Sequence, residues 1–477
     1  MKKTILIVGF LAGILISTTA LAQTKPDRPN NNLINPMTDK HLNAIVAGYK
    51  AVFTCGGTFS GGKSQEQIGR EELVGIYPNY REAQAALPEA VIHMDEKYVS
   101  AQYADDMPPR ISVWRPHLGC AQLPIGATIG DRDMLPSIDV EMPNNKNKAW
   151  PNGDKISKNS TINENLNAVI EGAFSGKYGE GVYTTAVIIT TPDQILGEKY
   201  LEGFDIHTSH RTWSAAKSIA ATVIGAAQYQ GIIDVKAENK IPEFQTKGDP
   251  RGNITLENFL HMGSGLYSRR MGNRTADVYW GGGKLDDNGA GMSVEAMPGT
   301  RWKYANNDTM LAIRSLKGAI GDEQTYLKFP FESLTYKIGM HDTKLETDWG
   351  GNFIFSSQVW TTARDLARLG ILYLNNGVWD GKRLLPDWWV DYVKTPAPAE
   401  PTFRLGEAGY GAQFWLYPKS RFPYLPDDSF AARGNRGQNI MIIPSKGIVI
   451  VRRGHDDSSK YRFDLAGFTR DVLKSIE

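Results

Sequence analysis

Apolar positions along the chain fall into distinct regimes. From Ile5 to about Leu21 they are nearly continuous, preceded by Lys2 and Lys3 and closed by Ala20-Leu21-Ala22. A basic start, a short apolar core and small residues at −3 and −1 predict a cleavable secretory signal over residues 1–22. Residues 23–45 are polar and read as a loose lead-in. From about 46 to 125, short apolar runs such as Ala51-Val52-Phe53-Thr54 and Arg110-Ile111-Ser112-Val113-Trp114 predict strands. The stretch from Pro143 to Thr161 is rich in Asn, Lys, Pro and Gly and reads as a connector.

Beyond the connector the period changes. Leu166, Val169 and Ile170 have helical spacing within Asn163 to Phe174. Thr184 to Thr191 and Ile195 to Leu201 predict a hairpin about Pro192-Asp193. An Ala-rich helix then runs to about Gly231, and a Gly-rich, largely helical middle reaches Gly377. Asn439 to Ile443 and Ile448 to Val451 predict a second hairpin about Pro444-Ser445-Lys446-Gly447. Leu465, Phe468, Leu473 and Ile476 mark a final amphipathic helix. Strands at both ends with helices between them predict an α/β (α+β) domain whose sheet the C-terminus completes, with a helical subdomain inserted.

Composition narrows the function. Basic and acidic residues number 53 and 52, a balance that gives no electrostatic footprint for nucleic acid. No later apolar run is long enough to span a bilayer, so a soluble periplasmic or secreted protein without membrane insertion is expected. The two cysteines, Cys55 and Cys120, fit an exported chain as one disulfide. The eight histidines form no zinc-protease pattern, His207 and His210 read as a surface turn, and neither metal nor cofactor is expected.

Two stretches offer chemistry. Gly57-Thr58-Phe59-Ser60-Gly61-Gly62-Lys63-Ser64 fits the phosphate-loop pattern literally. An exported protein meets little nucleoside triphosphate, and the connector leaves too short a chain for a nucleotide fold. A Gly-rich surface loop beside the disulfide is the expectation, with a nucleotide-binding module as the remote alternative. Ser214-Ala215-Ala216-Lys217, at the start of the Ala-rich helix, places a hydroxyl and an amine on one helical face. A lysine withdrawn from water has a lowered pKa and can take the serine proton. A helix start also offers N–H groups to developing negative charge. Tyr304, with Asn306 two residues on, is the candidate proton relay, since a phenol near a cation has a lowered pKa. The loop from Gly281-Gly282-Gly283 to Gly291 reads as a plain surface loop that could border the pocket.

These residues resemble the motifs of the beta-lactamase-related serine hydrolases, which include class C beta-lactamases, D-alanyl-D-alanine peptidases, esterases and 6-aminohexanoate-dimer hydrolases. Ser214 to Lys217 looks like the first motif and Tyr304-Ala305-Asn306 like the second. Similar phrases are Ile254 to Leu266, Pro298-Gly299-Thr300, Thr361 to Arg368 and Leu384-Leu385-Pro386. The resemblance implies a beta-lactamase-like antiparallel sheet flanked by helices over residues 160–477, behind an extension over 23–150. It implies Ser214 as nucleophile, Lys217 as base, Tyr304 as relay and Asn306 as a substrate contact or support for Lys217. The third motif departs. Its position falls at Ala432-Arg433-Gly434, where Ala432 replaces the usual lysine. Gly434 leaves room for close approach, the Asn435 N–H is a second oxyanion donor, and Arg433 or Arg436 would hold a substrate carboxylate. This pattern is closest to the amide-hydrolase and esterase branch. The expected partner is a small amide or ester; the alternative is a penicillin-binding or non-catalytic binder on the same fold.

Overall fold

Two hairpins distant in sequence build the central sheet. Thr184–Thr190 pairs with Ile195–Tyr200 on one side and with Ile448–Gly454 on the other, in a register that sets Ile189 opposite Ile450. The sheet continues through Gln438–Ile443, Phe430–Gly434, Trp415–Leu416 and Gly409–Tyr410, all seven strands antiparallel. The C-terminal hairpin therefore completes the sheet begun near residue 184, as the apolar pattern predicts.

Every residue of Thr184–Thr190 and Ile448–Gly454 is buried because both faces are covered. On one face Val187, Ile189 and Met441 meet the helices Glu164–Phe174 and Leu465–Ile476 through Leu166, Ile170, Phe468 and Val472. On the other, Ala186, Ile188, Ile440 and Val451 meet Leu366, Leu369 and the Ala-rich helix Ala216–Tyr229. The period of two in the strands thus sorts side chains between two cores. Helix Ala363–Leu374 lies close on the sheet: a Cβ on Gly370 would come within 2.6 Å of Val449.

The structure is a computed structural model that describes residues 39–477, except 75–76, 145–146, 157–162, 269–274, 403, 458 and the side chains of 289 and 290. The expected signal over 1–22 lies outside the described residues. Residues 40–477 form one compact unit. Within it, helix Asp39–Cys55 and a four-stranded sheet (Val91–His93, Tyr98–Ala101, Arg110–Arg115, Gly119–Gln122) share a core with Trp213, Trp280, Met310 and Ile354. A Cys55–Cys120 disulfide joins helix to sheet.

Two local expectations are corrected. Ala51-Val52-Phe53-Thr54 lies in the helix, not in a strand. Residues Ala44 to Cys55 are buried on every side, so the apolar run carries no helical period to recognise. The Gly57–Ser64 stretch is not a phosphate loop, and only its end, Gly61 to Ser64, is a loop at the surface. Gly56–Ser60 continues the helix as a wider turn, and the Trp360 ring occupies the space a Cβ on Gly56 would need. Lys63 is buried, paired with Glu72 and with Glu71 at 3.2 Å, and lies 3.1 Å from His455 Nε2. Its ammonium is committed to structure.

Arg110 pins this segment to the rest. Its guanidinium donates to the carbonyls of Ala44 (2.7 Å), Leu123 (3.2 Å), Trp280 (3.2 Å) and Gly281 (3.0 Å). Arg110→Ala removes the one donor that ties these four carbonyls together in a dry interior. It is expected to lower the unfolding free energy by about 3 kcal/mol or more, read from urea denaturation; an unchanged midpoint would contradict this role.

Candidate active site

The backbone enters the site under tension. The short strand His210–Arg211 pairs with Val359–Thr361, and Thr212 N–H donates to the Val359 carbonyl at 2.8 Å. Trp213 then takes φ +50°, a left-handed conformation costly for a bulky residue. The chain turns sharply into Trp213–Ala215, and helix Ala216–Tyr229 follows. Ser214 stands at this corner. Arg453, fully buried in the central sheet, fixes the corner from below. It donates to the carbonyls of Thr361 (2.7 Å) and His210 (3.0 Å).

Lys217 lies one helical turn on and is 1% exposed. Its Nζ donates to Asn306 Oδ1 at 2.6 Å and to the Ser356 carbonyl at 2.7 Å, and lies 3.3 Å from Ser214 Oγ. Among the described residues no carboxylate pairs with it. Burial alone therefore holds its pKa well below the ordinary lysine value. A neutral amine 3.3 Å from a hydroxyl can accept its proton.

Tyr304 precedes helix Asn306–Ile320, which presents Asn306 at its first position. The phenol hydrogen-bonds Ser214, and Lys217 Nζ lies 5.1 Å from its ring centre. The structure brings Ser214, Lys217, Tyr304 and Asn306 together. The expected lowering of the Tyr304 pKa is corrected. Burial outweighs the Ser214 hydrogen bond and the charge of Arg433, and pushes the phenol up to about 12. Tyr304 thus rests protonated at neutral pH, as a proton donor.

These groups open into a cavity of about 1010 Å³. Its aromatic wall comprises Tyr77, Trp213, Tyr279, Tyr304 and Trp415, and Arg433, Gly434 and Asn435 also line it. Gly434 serves a different approach from the one expected. A Cβ there would lie 2.0 Å from the Thr212 carbonyl oxygen and 3.1 Å from the Ala215 nitrogen. The missing side chain lets the strand end press against the Ser214 turn, which brings Asn435 and Ser214 to one cavity. Arg433 is half-buried, with its guanidinium 5.8 Å from the Trp415 ring centre. Arg436 takes no part: it is buried at φ +60° and donates to the carbonyls of Glu71 (2.5 Å), His455 (2.8 Å) and Asp456 (3.2 Å). Ala432 is fully buried.

Several residues carry no signal in the sequence. Ser356 acts through its carbonyl, which any residue possesses. Tyr279 shares a hydrogen bond of 2.5 Å with Ser356 Oγ and sits in Asp277–Gly281, beside the stretch read as a surface loop. Gly281 and Gly282 are in fact buried against the Arg110 guanidinium and the Leu123 carbonyl. His207, read with His210 as a surface turn, is bound to Asp342 at 2.9 Å, while His210 is buried and stacked on Phe204.

Gly434→Ala would drive the strand away from the turn. A displacement near 1 Å is expected to slow fluorophosphonate labelling of Ser214 about a hundredfold and to lower the thermal midpoint, since backbone must give way; unchanged labelling would contradict the tight packing.

A family model described as Beta-lactamase matches residues 174–473. A 6-aminohexanoate-dimer hydrolase from Paenarthrobacter ureafaciens is 25% identical over 332 residues, 62% of this chain and 80% of the relative. Among solved structures, a candidate 6-aminohexanoate-dimer hydrolase from Bacillus anthracis is 20% identical with a TM-score of 0.51. That match covers 72% of this chain and 88% of that one. A candidate beta-lactamase from Bacteroides dorei is 21% identical with a TM-score of 0.53, covering 65% and 98%. The matched residues span most of the chain and include the Ser214, Lys217 and Tyr304 cluster: the chain belongs to the beta-lactamase family.

Proposed function

We propose that this protein is an exported serine hydrolase that opens an amide or ester bond of a small molecule through an acyl-enzyme on Ser214. The observation that carries this reading is the buried Lys217 amine, with no carboxylate paired to it among the described residues, in reach of the Ser214 hydroxyl. Ser214 Oγ attacks the substrate carbonyl carbon while its proton passes to Lys217 Nζ. The N–H groups of Ser214 and Asn435 receive the oxyanion. Tyr304 gives its proton to the leaving nitrogen or oxygen as the carbonyl–leaving group bond breaks, and the proton held by Lys217 restores the phenol. Water then attacks the acyl ester, its proton returns through the same groups, and the acid departs.

A phenol pushed up to about 12 suits this donation. An amine leaves poorly without a proton, and a protonated Tyr304 supplies one. Asn306 holds Lys217 in line and faces the cavity. Ala432 stands where the motif's lysine is expected, so Arg433 is the cation for a substrate carboxylate. The 6-aminohexanoate-dimer hydrolase relative supports linear amides as the first class to test. Export accords with the Lys2-to-Ala22 leader and the Cys55–Cys120 disulfide.

A panel of p-nitrophenyl butyrate, a linear amide dimer and a chromogenic cephalosporin tests the reading. Hydrolysis is expected for an ester or linear amide, with loss in Ser214→Ala. Tyr304→Phe is expected to lower kcat by about 10²- to 10⁴-fold with a smaller change in KM. Activity that survives Ser214→Ala, or no covalent adduct with any fluorophosphonate, would reject the enzyme and leave a binder on the same fold.

A further inference from the structure

The segment before residue 174 lies outside the stretch matched by the family model, yet it supplies part of the catalytic cavity. Tyr77 lines that cavity, and it also lines a second one of about 510 Å³. The other shared wall follows the last strand of the sheet. Ser459 and Arg462 face the catalytic side, while Asp457 and Lys460 face the second cavity. The two spaces are thus neighbours across one aromatic ring. Tyr77 is held in place by Trp280, Tyr49 and Tyr80, with ring centres 4.9, 5.4 and 5.4 Å away. A fixed ring of this kind offers a flat apolar face, shared by both spaces, against which a methylene chain can pack.

The charges beyond the ring are unequal. Lys50, 3% exposed, lines the second cavity and donates to the carbonyls of Leu87 (2.9 Å) and Pro88 (3.1 Å). An ammonium has three N–H donors, so one remains. Arg81 is exposed on the same rim, and among the described residues no carboxylate pairs with it. Lys460 lies 3.3 Å from Asp457, whose carboxylate already accepts from Ser459 N–H (3.2 Å) and Oγ (2.5 Å). Glu89 is the other acid on the rim. Three cations therefore face two acids: Asp457 pairs with Lys460 and Glu89 acts on Lys50, while Arg81 has no carboxylate paired with it among the described residues.

We infer that this second cavity is a distal subsite, built by the N-terminal segment, for the carboxylate end of an elongated linear substrate whose scissile bond lies at Ser214. The inference rests on the hydrolase reading above for the position of that bond. It adds a length requirement: a short substrate fills the first cavity only, and a longer one gains the contacts of Lys50, Arg81 and Lys460.

Linear α,ω-dicarboxylic acids, from butanedioic to hexadecanedioic, serve as competitive inhibitors of p-nitrophenyl butyrate hydrolysis. Inhibition is expected to strengthen at least tenfold beyond a threshold length. The dimethyl ester of the longest acid, which has no carboxylate for the subsite, should be weaker than the diacid. In Arg81→Ala/Lys460→Ala, and in Arg81→Glu alone, that length-dependent gain is expected to shrink severalfold. Both side chains are exposed, so folding is retained. Inhibition independent of length, equal inhibition by acid and ester, or a gain intact in both variants would overturn the subsite. If hydrolysis proves independent of Ser214, the hydrolase reading falls. Calorimetric binding of hexadecanedioic acid to the same variants then decides the subsite on its own.

Discussion

The burial of one lysine, Lys217, constrains everything else in this site. Burial holds the Lys217 pKa well below the ordinary lysine value, and no carboxylate pairs with it among the described residues. Placing it there is costly, so the fold must satisfy its N–H groups. The Asn306 amide oxygen and the Ser356 carbonyl do so. Both acceptors lie far from Lys217 in sequence, one at a helix start and one in the stretch before the strand Val359–Thr361. A helix, a second helix and a strand are thereby locked around a single nitrogen.

The surrounding framework keeps this arrangement in position. Trp213 bends into a left-handed conformation, Gly434 gives up its side chain, and Arg453 spends a fully buried guanidinium on two carbonyls beneath the corner. Each is unfavourable by local rules and each is compensated by packing on the antiparallel sheet. The enclosure that lowers the Lys217 pKa also raises that of Tyr304. An amine and a phenol shifted in opposite directions by one environment thus flank one hydroxyl.

Much of this was legible in the residues. The two hairpins and their flanking helices follow from periods of two and of 3.6, and Ser214, Lys217, Tyr304 and Asn306 from motif spacing. Ala51 to Thr54 misled because a helix buried all round has no polar face to reveal its period. The glycines near 57 suggested a loop, whereas Gly56 and Gly61 make room for the Trp360 ring. Arg433 and Arg436 are indistinguishable in sequence; backbone conformation turns one toward the cavity and commits the other to carbonyls. Ser356 gave no signal, since a backbone carbonyl leaves no local pattern, and the place of Tyr77 in the cavity wall is a tertiary contact that its neighbours in sequence do not encode.

The most direct measurement of the central claim is the titration of Lys217 itself. Protein labelled with ¹³C at lysine Cε, with Lys217→Arg to assign the resonance, reports its charge state by NMR. An amine already neutral near neutral pH, with a midpoint well below the ordinary 10.5, is the expected result. An ammonium that persists to that ordinary value would contradict the role of Lys217 as the base for Ser214.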